Sequence, residues 1–560
     1  MSQFEPIAIV SEACILPGAD TPAELWDAVQ ARRILTRQVS AEELGLGASG
    51  TGQRRYVSGR VDQPASHHDG LKRLHNIDTG SLDPVHRWPL QAAWEAWTAV
   101  SAASMTKPSR RGVFLANLCY PSRAKVDHAD DVWRHGRTDR PLTDTFNSGL
   151  PAHLIARMIG AEGPALALDA ACASSLYALE IACRKLAANQ IDIALVGAVN
   201  AADNLILHIG FDALKALSPT GRSRPFIQGA DGLVPSEGAA AVVLKRLSDV
   251  RTADRVRGVI RGIGLSNDGK RKGFLAPDSD GQVEAMRRAY AMAGIDPASI
   301  GYLECHATGT PVGDSVEIQS AAAIFGSKRE LAIGSLKANT GHLITVAGLA
   351  SLLKLTASLE SATLAPTPLD GALIKSLAST GLAPLAQPRP WTRDGDAPRR
   401  AAISNFGFGG NNSHLVLEAH EPARGYFNGH STMSPSADDD IVVVGIGLMA
   451  GPDRGERTIL RRLMNAPSAQ ARNAELIGAD PVKARIPPSD ILRAEAQHLA
   501  ILDVSQMALE SVSRPPAEQC GVFAGIRCGD ESARWPIRER EKAALIAAGR
   551  NDIEAALNAV

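Results

Sequence analysis

The chain has 560 residues, 45% of them hydrophobic, a length that allows roughly two to four domains with sizeable cores. Its 59 lysines and arginines nearly balance its 60 aspartates and glutamates, so the formal net charge is -1 at pH 7. A chain with so little net charge has no overall electrostatic field that would attract it to nucleic acid or to an anionic membrane. We therefore expect neither as a partner.

The first predicted element is a strand at Ile7–Val10, which Ser11 and Glu12 end. The preceding segment carries no basic run, so a strand is predicted here and not a signal peptide. No apolar stretch of the sequence reaches the roughly 20 residues that cross a bilayer. Seven cysteines form an odd set without disulfide or metal-ligand spacing, which is typical of a reducing cytoplasm.

Short apolar strands alternate with amphipathic helices along the chain, a pattern typical of an α/β fold. Strands are predicted at Leu166–Leu168, Ile193–Val196, Ala240–Leu244, Val256–Leu265, Ile300–Cys305, Ile403–Phe406 and His414–Glu418. Helices are predicted at Leu176–Leu186, Gln282–Ala293 and Ala347–Leu359.

Residues 421–439 have the proline, glycine and aspartate content of a linker. After this linker the chain resembles its own beginning. Asp440–Val444 parallels Pro6–Val10, and Gly521–Ala524 parallels Gly112–Leu115. The sequence therefore predicts an internal repeat whose second copy is incomplete.

This second copy, residues 440–560, ends before any counterpart of the segment around Cys172. Its apolar faces lack the central strands on which they would pack, so we expect it to be mobile or to dock on another surface. Limited proteolysis is expected to cut in the linker and to leave an N-terminal piece that keeps its function.

Cys172 is the most informative residue of the chain. It lies among the small residues of Asp169–Ser175, between a predicted strand and a predicted helix. A sharp turn there places the thiol at a helix N-terminus, where free amide groups and the helix dipole favour an anion. We therefore expect a thiol that ionises easily and acts as a nucleophile.

Three further motifs accompany this cysteine. The segment Glu304–Asp314 places His306 at a strand end, before a turn of glycine, threonine and proline. A second motif places Lys337 and His342 just before a helix, and Asn405–Gly410 is a glycine-rich loop. Two histidines in such turns, with a lysine and a helix-capped cysteine, indicate nucleophilic catalysis.

From about residue 5 to 420 these motifs resemble the β-ketoacyl synthases, the condensing enzymes of fatty acid and polyketide synthesis. Leu82–Pro84 with Ala93–Ala96 is similar to the family's helix before the first central strand. Three segments resemble the synthases of bacterial polyunsaturated fatty acid systems: Asn117–Pro121, Gly149–Leu154 and Ala198–Asn200. In that class a chain-length factor follows the ketosynthase directly, which would explain the partial second copy.

The resemblance implies a thiolase-like fold of five layers, α/β/α/β/α, built from two related halves. We expect these halves at residues 1–255 and 256–420. The linker 421–439 and a partial second thiolase-like unit, chain-length-factor-like, at 440–560 would follow.

The resemblance also implies residue roles. Cys172 accepts the acyl group, because a thiolate both attacks and leaves an acyl thioester. His306 and His342 act as hydrogen-bond donors to the enolate that forms when a malonyl thioester loses carbon dioxide. Lys337 orients this cluster, and Glu317 supports it.

The loop at Asn405–Gly410 is expected to support the site. The backbone N–H groups of Cys172 and Phe408 would stabilise the oxyanion of the tetrahedral intermediate. Phe408 also resembles the phenylalanine that gates entry of the acyl chain, and Asn405 is a further supporting residue.

The implied function is decarboxylative Claisen condensation by a β-ketoacyl-[acyl carrier protein] synthase, with no cofactor in this chain. Substrates would arrive on the phosphopantetheine of acyl carrier protein. Expected partners are this carrier, other synthase subunits, and a second subunit in a dimer, either an identical chain or a chain-length-factor domain. Two alternatives stay open: a non-catalytic chain-length or docking subunit, and a thiolase-like enzyme that uses coenzyme A thioesters.

Three other patterns carry less weight. His67, His68 and His75 have no partner cysteines, so we expect no metal site. Gly445–Gly447 lacks the spacing of a dinucleotide-binding loop, so no nucleotide is expected. The basic run Lys270–Lys272 is interpreted as a solvated loop.

Overall fold

The computed structural model describes residues 4–47, 55–62, 69–75, 77–269, 276–326, 329–393, 395–421, 441–465, 494–510, 520–526 and 531–550, with 491, 512, 552, 553 and 557. The chain forms two compact units, one of Met1–Met433 with Cys528–Val560 and one of Ser434–Arg527. Most of the expected linker, and His67, His68 and Lys270–Lys272, lie outside the described residues.

In the described part of the chain, no helix has the length and apolar character needed to cross a membrane. The strands are β1 Ile7–Ile15, β2 Thr36–Gln38, β3 Val57–Gly59, β4 Arg111–Asn117, β5 Ala165–Leu168, β6 Ile193–Asn200, β7 Gly238–Arg246, β8 Gly258–Asn267, β9 Tyr302–Glu304, β10 Leu331–Gly334, β11 Thr363–Leu364, β12 Leu382–Pro384, β13 Arg389–Pro390, β14 Arg400–Phe406, β15 Asn411–Glu418, β16 Met449–Ala450 and β17 Asp453–Arg454.

The helices are α1 Pro22–Gln30, α2 Pro84–Thr98, α3 Arg123–His135, α4 Leu150–Ile159, α5 Ser174–Ala187, α6 Asn204–Ala213, α7 Ser279–Ala293, α8 Pro311–Phe325, α9 Lys337–Thr340, α10 Ala347–Glu360, α11 Glu456–Asn465, α12 Ala496–Leu509 and α13 Arg534–Ala547.

The large sheet of the first unit consists of two halves with the same topology. The first half has the strand order β5-β4-β6-β7-β1, and the second has β10-β9-β14-β15-β8, with β12 added at its edge. In each half the first three strands of that order run parallel and the last two pair antiparallel. The halves meet where β1 pairs with β8. The strand order therefore contains the two related halves that the family resemblance implies.

Alternating side chains of the strands face two different cores, as the period of two in a strand requires. Phe114 of β4 packs into a central cluster with α5 and α10, whereas Val113 packs against α2 and α4. In the second half, Ile403 of β14 faces the central cluster and Ala402 faces α7 and α8. Helices thus lie outside each half and between the halves, in the five layers that were expected.

The two central helices are equivalent elements of the two halves. Helix α5 begins at Ser174 and α10 at Ala347, each directly after a single 3₁₀ turn, Ala171–Ala173 or Ile344–Val346. The helices approach closely at Gly348, where a Cβ atom would lie 2.6 Å from Ser175 Oγ. A larger residue at Gly348 would push the two helix N-termini apart.

Strand β1 is longer than the sequence predicts. It continues through Ser11 and Glu12 to Ile15, with a shift of register after Ile9. The carboxylate of Glu12 is buried there and accepts a hydrogen bond of 2.8 Å from Thr356 Oγ1. A charged residue continues the strand because its side chain finds a partner in α10.

In the second unit, the segment that parallels β1 forms no strand among the described residues. Ile441 and Val443 are 99% and 80% exposed. Gly445 and Gly447 pack closely on α12, since Cβ atoms there would clash with the carbonyl oxygens of Ala508 and Val504. The expected second copy thus leaves apolar residues uncovered, and the boundaries 440–560 stay a prediction.

Candidate active site

A strained turn presents Cys172 at the start of α5. Ala171 has a φ of 52°, a value that non-glycine residues rarely adopt. Asp169 Oδ1 accepts a hydrogen bond of 2.8 Å from Ala171 N, and Ser174 Oγ donates one of 2.6 Å to Ala171 O. These bonds hold a conformation that costs about 1–3 kcal/mol by itself. The side chain of Cys172 is 1% exposed.

An equivalent turn in the second half holds His342. Ile344 has a φ of 53°, and its N–H donates to His342 Nδ1 at 3.3 Å. Because Nδ1 accepts this hydrogen bond, the neutral ring carries its proton on Nε2. His342 Nε2 lies 2.9 Å from Cys172 Sγ, so it faces the sulfur as a donor.

His306 completes the cluster from the end of β9. Its ring meets the ring of His342 edge to face, with centroids 5.3 Å apart. Glu317 of α8 accepts hydrogen bonds of 2.7 Å from the backbone N–H groups of both His306 and Ala307. Glu317 therefore fixes the backbone that carries this histidine.

The structure corrects the expectation that Cys172 ionises easily. Burial raises the pKa of the thiol to about 12, although the Lys337 ammonium and the backbone N–H groups of Phe408 and Cys172 act in the opposite direction. The position at a helix N-terminus was predicted correctly, but desolvation outweighs it. Burial thus favours the thiol over the thiolate, and both N–H groups expected in the oxyanion hole point toward the sulfur.

Burial and the nearby charge of Lys337 lower the pKa values of His306 and His342 well below 6.5. A lowered pKa favours the neutral form of each ring at neutral pH. Neutral rings can donate one N–H each without the cost of a buried positive charge.

Neither histidine is expected to titrate between pH 8 and pH 6. The measurement is NMR of protein labelled with ¹³C at histidine Cε1, with the two signals assigned by their loss in His306→Ala and His342→Ala. His75, which lies outside the cluster, serves as the internal control. A midpoint near 6.5 for either ring would contradict its neutral burial.

Lys337 is a buried lysine close to this cluster. It is 2% exposed, and among the described residues no hydrogen-bond partner of its Nζ is found. Burial lowers the pKa of Lys337, against the opposing charges of Glu304 and Glu317. Burial also raises the pKa of Glu317. Lys337 thus lies buried beside the cluster and forms no surface ion pair with any described residue.

The glycine-rich loop packs directly on the turn of Cys172. A Cβ atom at Gly407 would lie 2.6 Å from Ala170 O, so only glycine permits this approach. Asn405 Nδ2 donates a hydrogen bond of 3.2 Å to Cys172 O. The ring of Phe408 packs against Phe211 of α6, with centroids 6.0 Å apart.

A cavity of about 440 Å³ leads to the cluster. His306, Thr308 and Thr310 contribute polar groups to its wall, and Phe408 and Leu214 contribute apolar ones. The seven residues proposed from sequence are therefore brought to one place, around the turn of Cys172 and the adjoining cavity wall.

Sequence reasoning missed a buried ion pair that supports the cluster. Lys354 Nζ lies 2.6 Å from Glu304 Oε2, and both side chains are fully buried. Glu304 Oε1 also accepts a hydrogen bond of 2.6 Å from Leu336 N, directly before Lys337. The signal in the sequence was a lysine inside the apolar helix α10, where a charge needs a partner.

Lys354→Ala is expected to destabilise the protein by about 3–5 kcal/mol, because it leaves the carboxylate of Glu304 buried without its counter-ion. Chemical denaturation of the full chain measures this change. The matched control is Lys375→Ala, since Lys375 lies on the surface. Equal stability of the two variants would show that Glu304 does not depend on Lys354.

The residue types of this cluster could also ligate a metal ion, so its distances are compared with those of a zinc site. In the described part of the chain, Cys172, His306 and His342 offer ligand atoms within 4.8 Å of one another. Sulfur and nitrogen ligands of one tetrahedral zinc ion lie about 3.5 Å apart, given bonds of about 2.3 and 2.0 Å. The 2.9 Å between Sγ and Nε2 is shorter and fits a direct hydrogen bond.

The cluster thus brings one cysteine and two histidines together on a duplicated α/β fold. The sequence matches the profile of the β-ketoacyl synthase N-terminal domain at residues 4–250 and that of the C-terminal domain at residues 257–369. The chain belongs to the β-ketoacyl synthase family. The resemblance and the thiolase-like fold expected from sequence are thus confirmed.

Relatives and solved structures agree with this assignment. A mycocerosic acid synthase-like polyketide synthase of Mycolicibacterium smegmatis is 34% identical over 428 residues, 74% of this chain and 20% of the relative. The ketosynthase from module 6 of the bacillaene synthase of Bacillus subtilis 168 has a TM-score of 0.66 and 31% identity, covering 74% of this chain and 72% of that one.

A third comparison covers a larger share of this chain. The PfaC keto synthase-chain length factor has a TM-score of 0.70 and 30% identity, covering 82% of this chain and 52% of that chain. The chain spans only 11% to 24% of the length of the first curated relatives it matches. The ketosynthase family is thereby established over most of the first unit.

Proposed function

We propose that the chain is a β-ketoacyl-[acyl carrier protein] synthase that performs decarboxylative Claisen condensation at Cys172. The observation that carries this proposal is the contact of 2.9 Å between Cys172 Sγ and His342 Nε2, with His306 beside it. A nucleophile and two neutral donors at one cavity match the two chemical demands of the reaction.

The first half-reaction transfers an acyl group to the sulfur. Cys172 Sγ attacks the carbonyl carbon of the acyl thioester, and the N–H groups of Cys172 and Phe408 bind the developing oxyanion. The bond to the carrier sulfur then breaks. The proton lost by Cys172 ends on the departing carrier thiol, so this step needs no external acid or base.

The second half-reaction forms the carbon–carbon bond. The bond to the carboxylate of the malonyl group breaks, carbon dioxide leaves, and the electron pair becomes an enolate. The N–H groups of His306 and His342 stabilise its oxygen. The α-carbon then attacks the carbonyl carbon of the acyl group on Cys172, whose thiolate leaves and takes up one proton from the solvent. Lys337 supplies positive potential as this negative charge develops.

The substrates would arrive on phosphopantetheine, a flexible arm with amide groups along an otherwise apolar chain. The cavity offers Thr308 and Thr310 to such an arm, next to apolar side chains. The partners would be acyl carrier protein, other synthase subunits, and a second ketosynthase or chain-length-factor domain in a dimer. The cytoplasm is the proposed location, and no cofactor is assigned to this chain.

A polyunsaturated fatty acid type of synthase is the pathway that we propose. The support is the repeat predicted from residue 440 onward, together with the similarity to the PfaC keto synthase-chain length factor. We further propose the domain limits 1–255, 256–420, 421–439 and 440–560 on the same grounds. A non-catalytic subunit is disfavoured, because nucleophile and both donors lie in contact here.

Mass spectrometry of the intact protein and of the carrier tests this function. Incubation with acyl and malonyl carrier proteins should give an acyl adduct on Cys172, then a carrier product extended by two carbons. Turnover of coenzyme A thioesters without loss of carbon dioxide would instead support the thiolase alternative.

A further inference from the structure

Helix α13 lies in the predicted second copy of the repeat but belongs to the first compact unit. It follows Gly521–Ala524, the segment that parallels Gly112–Leu115, as α3 follows β4 in the first copy. Although it lies far along the chain, α13 contacts α3 and α6. The two equivalent helices α3 and α13 therefore pack on each other.

Apolar and charged contacts both hold α13 in place. Ala533 and Ile537 form a buried cluster with Val126 of α3. At the other side of the contact, Arg134 Nη2 lies 2.7 Å from Glu541 Oε2. The interface between α13 and α3 therefore extends from one end of α3 to the other.

The most buried polar contact is made by Arg540. Its Nη2 lies 3.0 and 2.7 Å from the two carboxylate oxygens of Asp203, and its Nε donates to Leu44 O at 2.9 Å. The two side chains are only 14% and 2% exposed. A charge pair so well shielded holds its partners in a defined geometry.

Asp203 is the N-cap of α6, where its Oδ1 accepts a hydrogen bond of 2.9 Å from Leu205 N. The same helix carries Phe211, which packs against Phe408. Directly after α6, Leu214 lines the cavity that reaches His306. One end of α6 is thus bound to α13, and the other end forms the cavity wall.

We propose that α13 is a docking element through which the second copy positions α6 and, through Phe211, the gating residue Phe408. The C-terminal segment would in this way control entry of the acyl chain to Cys172. Arg540 is the positioning residue of this device. The inference rests on the proposed acylation of Cys172 and adds the dependence of that step on a remote helix.

The test uses Arg540→Ala in the full chain, with Arg534→Ala as the matched control because Arg534 is an exposed residue of the same helix. Acylation of Cys172 should slow by about threefold to thirtyfold in Arg540→Ala, the usual range of such coupling. Amide hydrogen exchange of residues 203–213 should rise at the same time. The control should match the unmodified protein in both measurements.

Malonyl decarboxylation, measured in the Cys172→Gln background, should change less than acylation in Arg540→Ala, because His306 and His342 follow β9 and α9 whereas α13 packs on α3 and α6. Arg540→Lys should restore part of the acylation rate. In a double-mutant cycle, Arg540→Ala should lose its effect when Phe408→Ala has already removed the gate.

Three results would overturn the inference. The first is acylation at the unmodified rate in Arg540→Ala, and the second is an equal loss of acylation and decarboxylation. The third is a double variant whose acylation rate falls by the product of the two single-variant reductions. If Arg540→Ala does not fold, the cycle is made with Arg540→Lys. Failure of the unmodified chain to acylate Cys172 would refute the proposed function instead.

Discussion

Replacing Cys172 by alanine is expected to abolish covalent acylation of the protein. In the described part of the chain, no other cysteine lies at a strained turn beside a histidine donor, and Cys14, Cys183 and Cys305 are buried in the cores. Mass spectrometry after incubation with acyl carrier protein should therefore show no adduct. An adduct retained by Cys172→Ala would place the nucleophile elsewhere.

Cys172→Gln is the matched variant, because its amide imitates the acylated cysteine while both histidines stay in place. It should fail to condense but continue to decarboxylate malonyl carrier protein. Release of carbon dioxide measures this half-reaction alone. A folded Cys172→Gln protein with neither activity would contradict the separation of nucleophile and donors.

His342→Ala is expected to slow malonyl decarboxylation by roughly 10²–10³, the usual cost of one donor to an oxyanion. The loss arises because Nε2 no longer supplies a hydrogen bond where the enolate forms. His306→Ala should have an effect of similar size, and Lys337→Ala should slow the same half-reaction. Normal decarboxylation by the two histidine variants would refute this role.

A second substitution separates chemistry from structure at this position. Asn Oδ1 can accept the N–H of Ile344, as Asp169 Oδ1 accepts that of Ala171 in the equivalent turn. His342→Asn should therefore fold like the unmodified protein but decarboxylate as slowly as His342→Ala. Full activity of His342→Asn would show that His342 only holds the turn.

Much of this site could be predicted from sequence because its parts are local. Strand, turn and helix signals around Cys172, His306 and His342 lie within short segments, and the family resemblance brings those segments together. The helix after the turn begins at Ser174, two residues before its predicted start. Strand ends were less certain, as β1 shows, because a buried partner such as Thr356 is remote in sequence.

The remaining features depend on contacts that no local pattern records. The high pKa of Cys172 follows from the depth of burial, and the role of Glu304 follows from Lys354, 50 residues away. The docking of α13 joins Arg540 to Asp203, 337 residues apart. Each of these requires the folded chain, since desolvation and long-range pairing are properties of packing.

The two turns at the N-termini of α5 and α10 are equivalent elements of the two halves, yet they carry different functional side chains. Cys172 corresponds to Thr345, which donates a hydrogen bond of 2.6 Å to Val199 O, and His342 corresponds to Asp169. The turn of the first half thus contributes the sulfur and the turn of the second half contributes the imidazole. The two turns are in contact in the middle layer. Neither half holds all three of Cys172, His306 and His342 by itself. A protein divided near Arg255 is therefore expected to regain activity only when its two pieces reassemble. Recovery of activity on mixing the two fragments would directly measure how well the two halves associate.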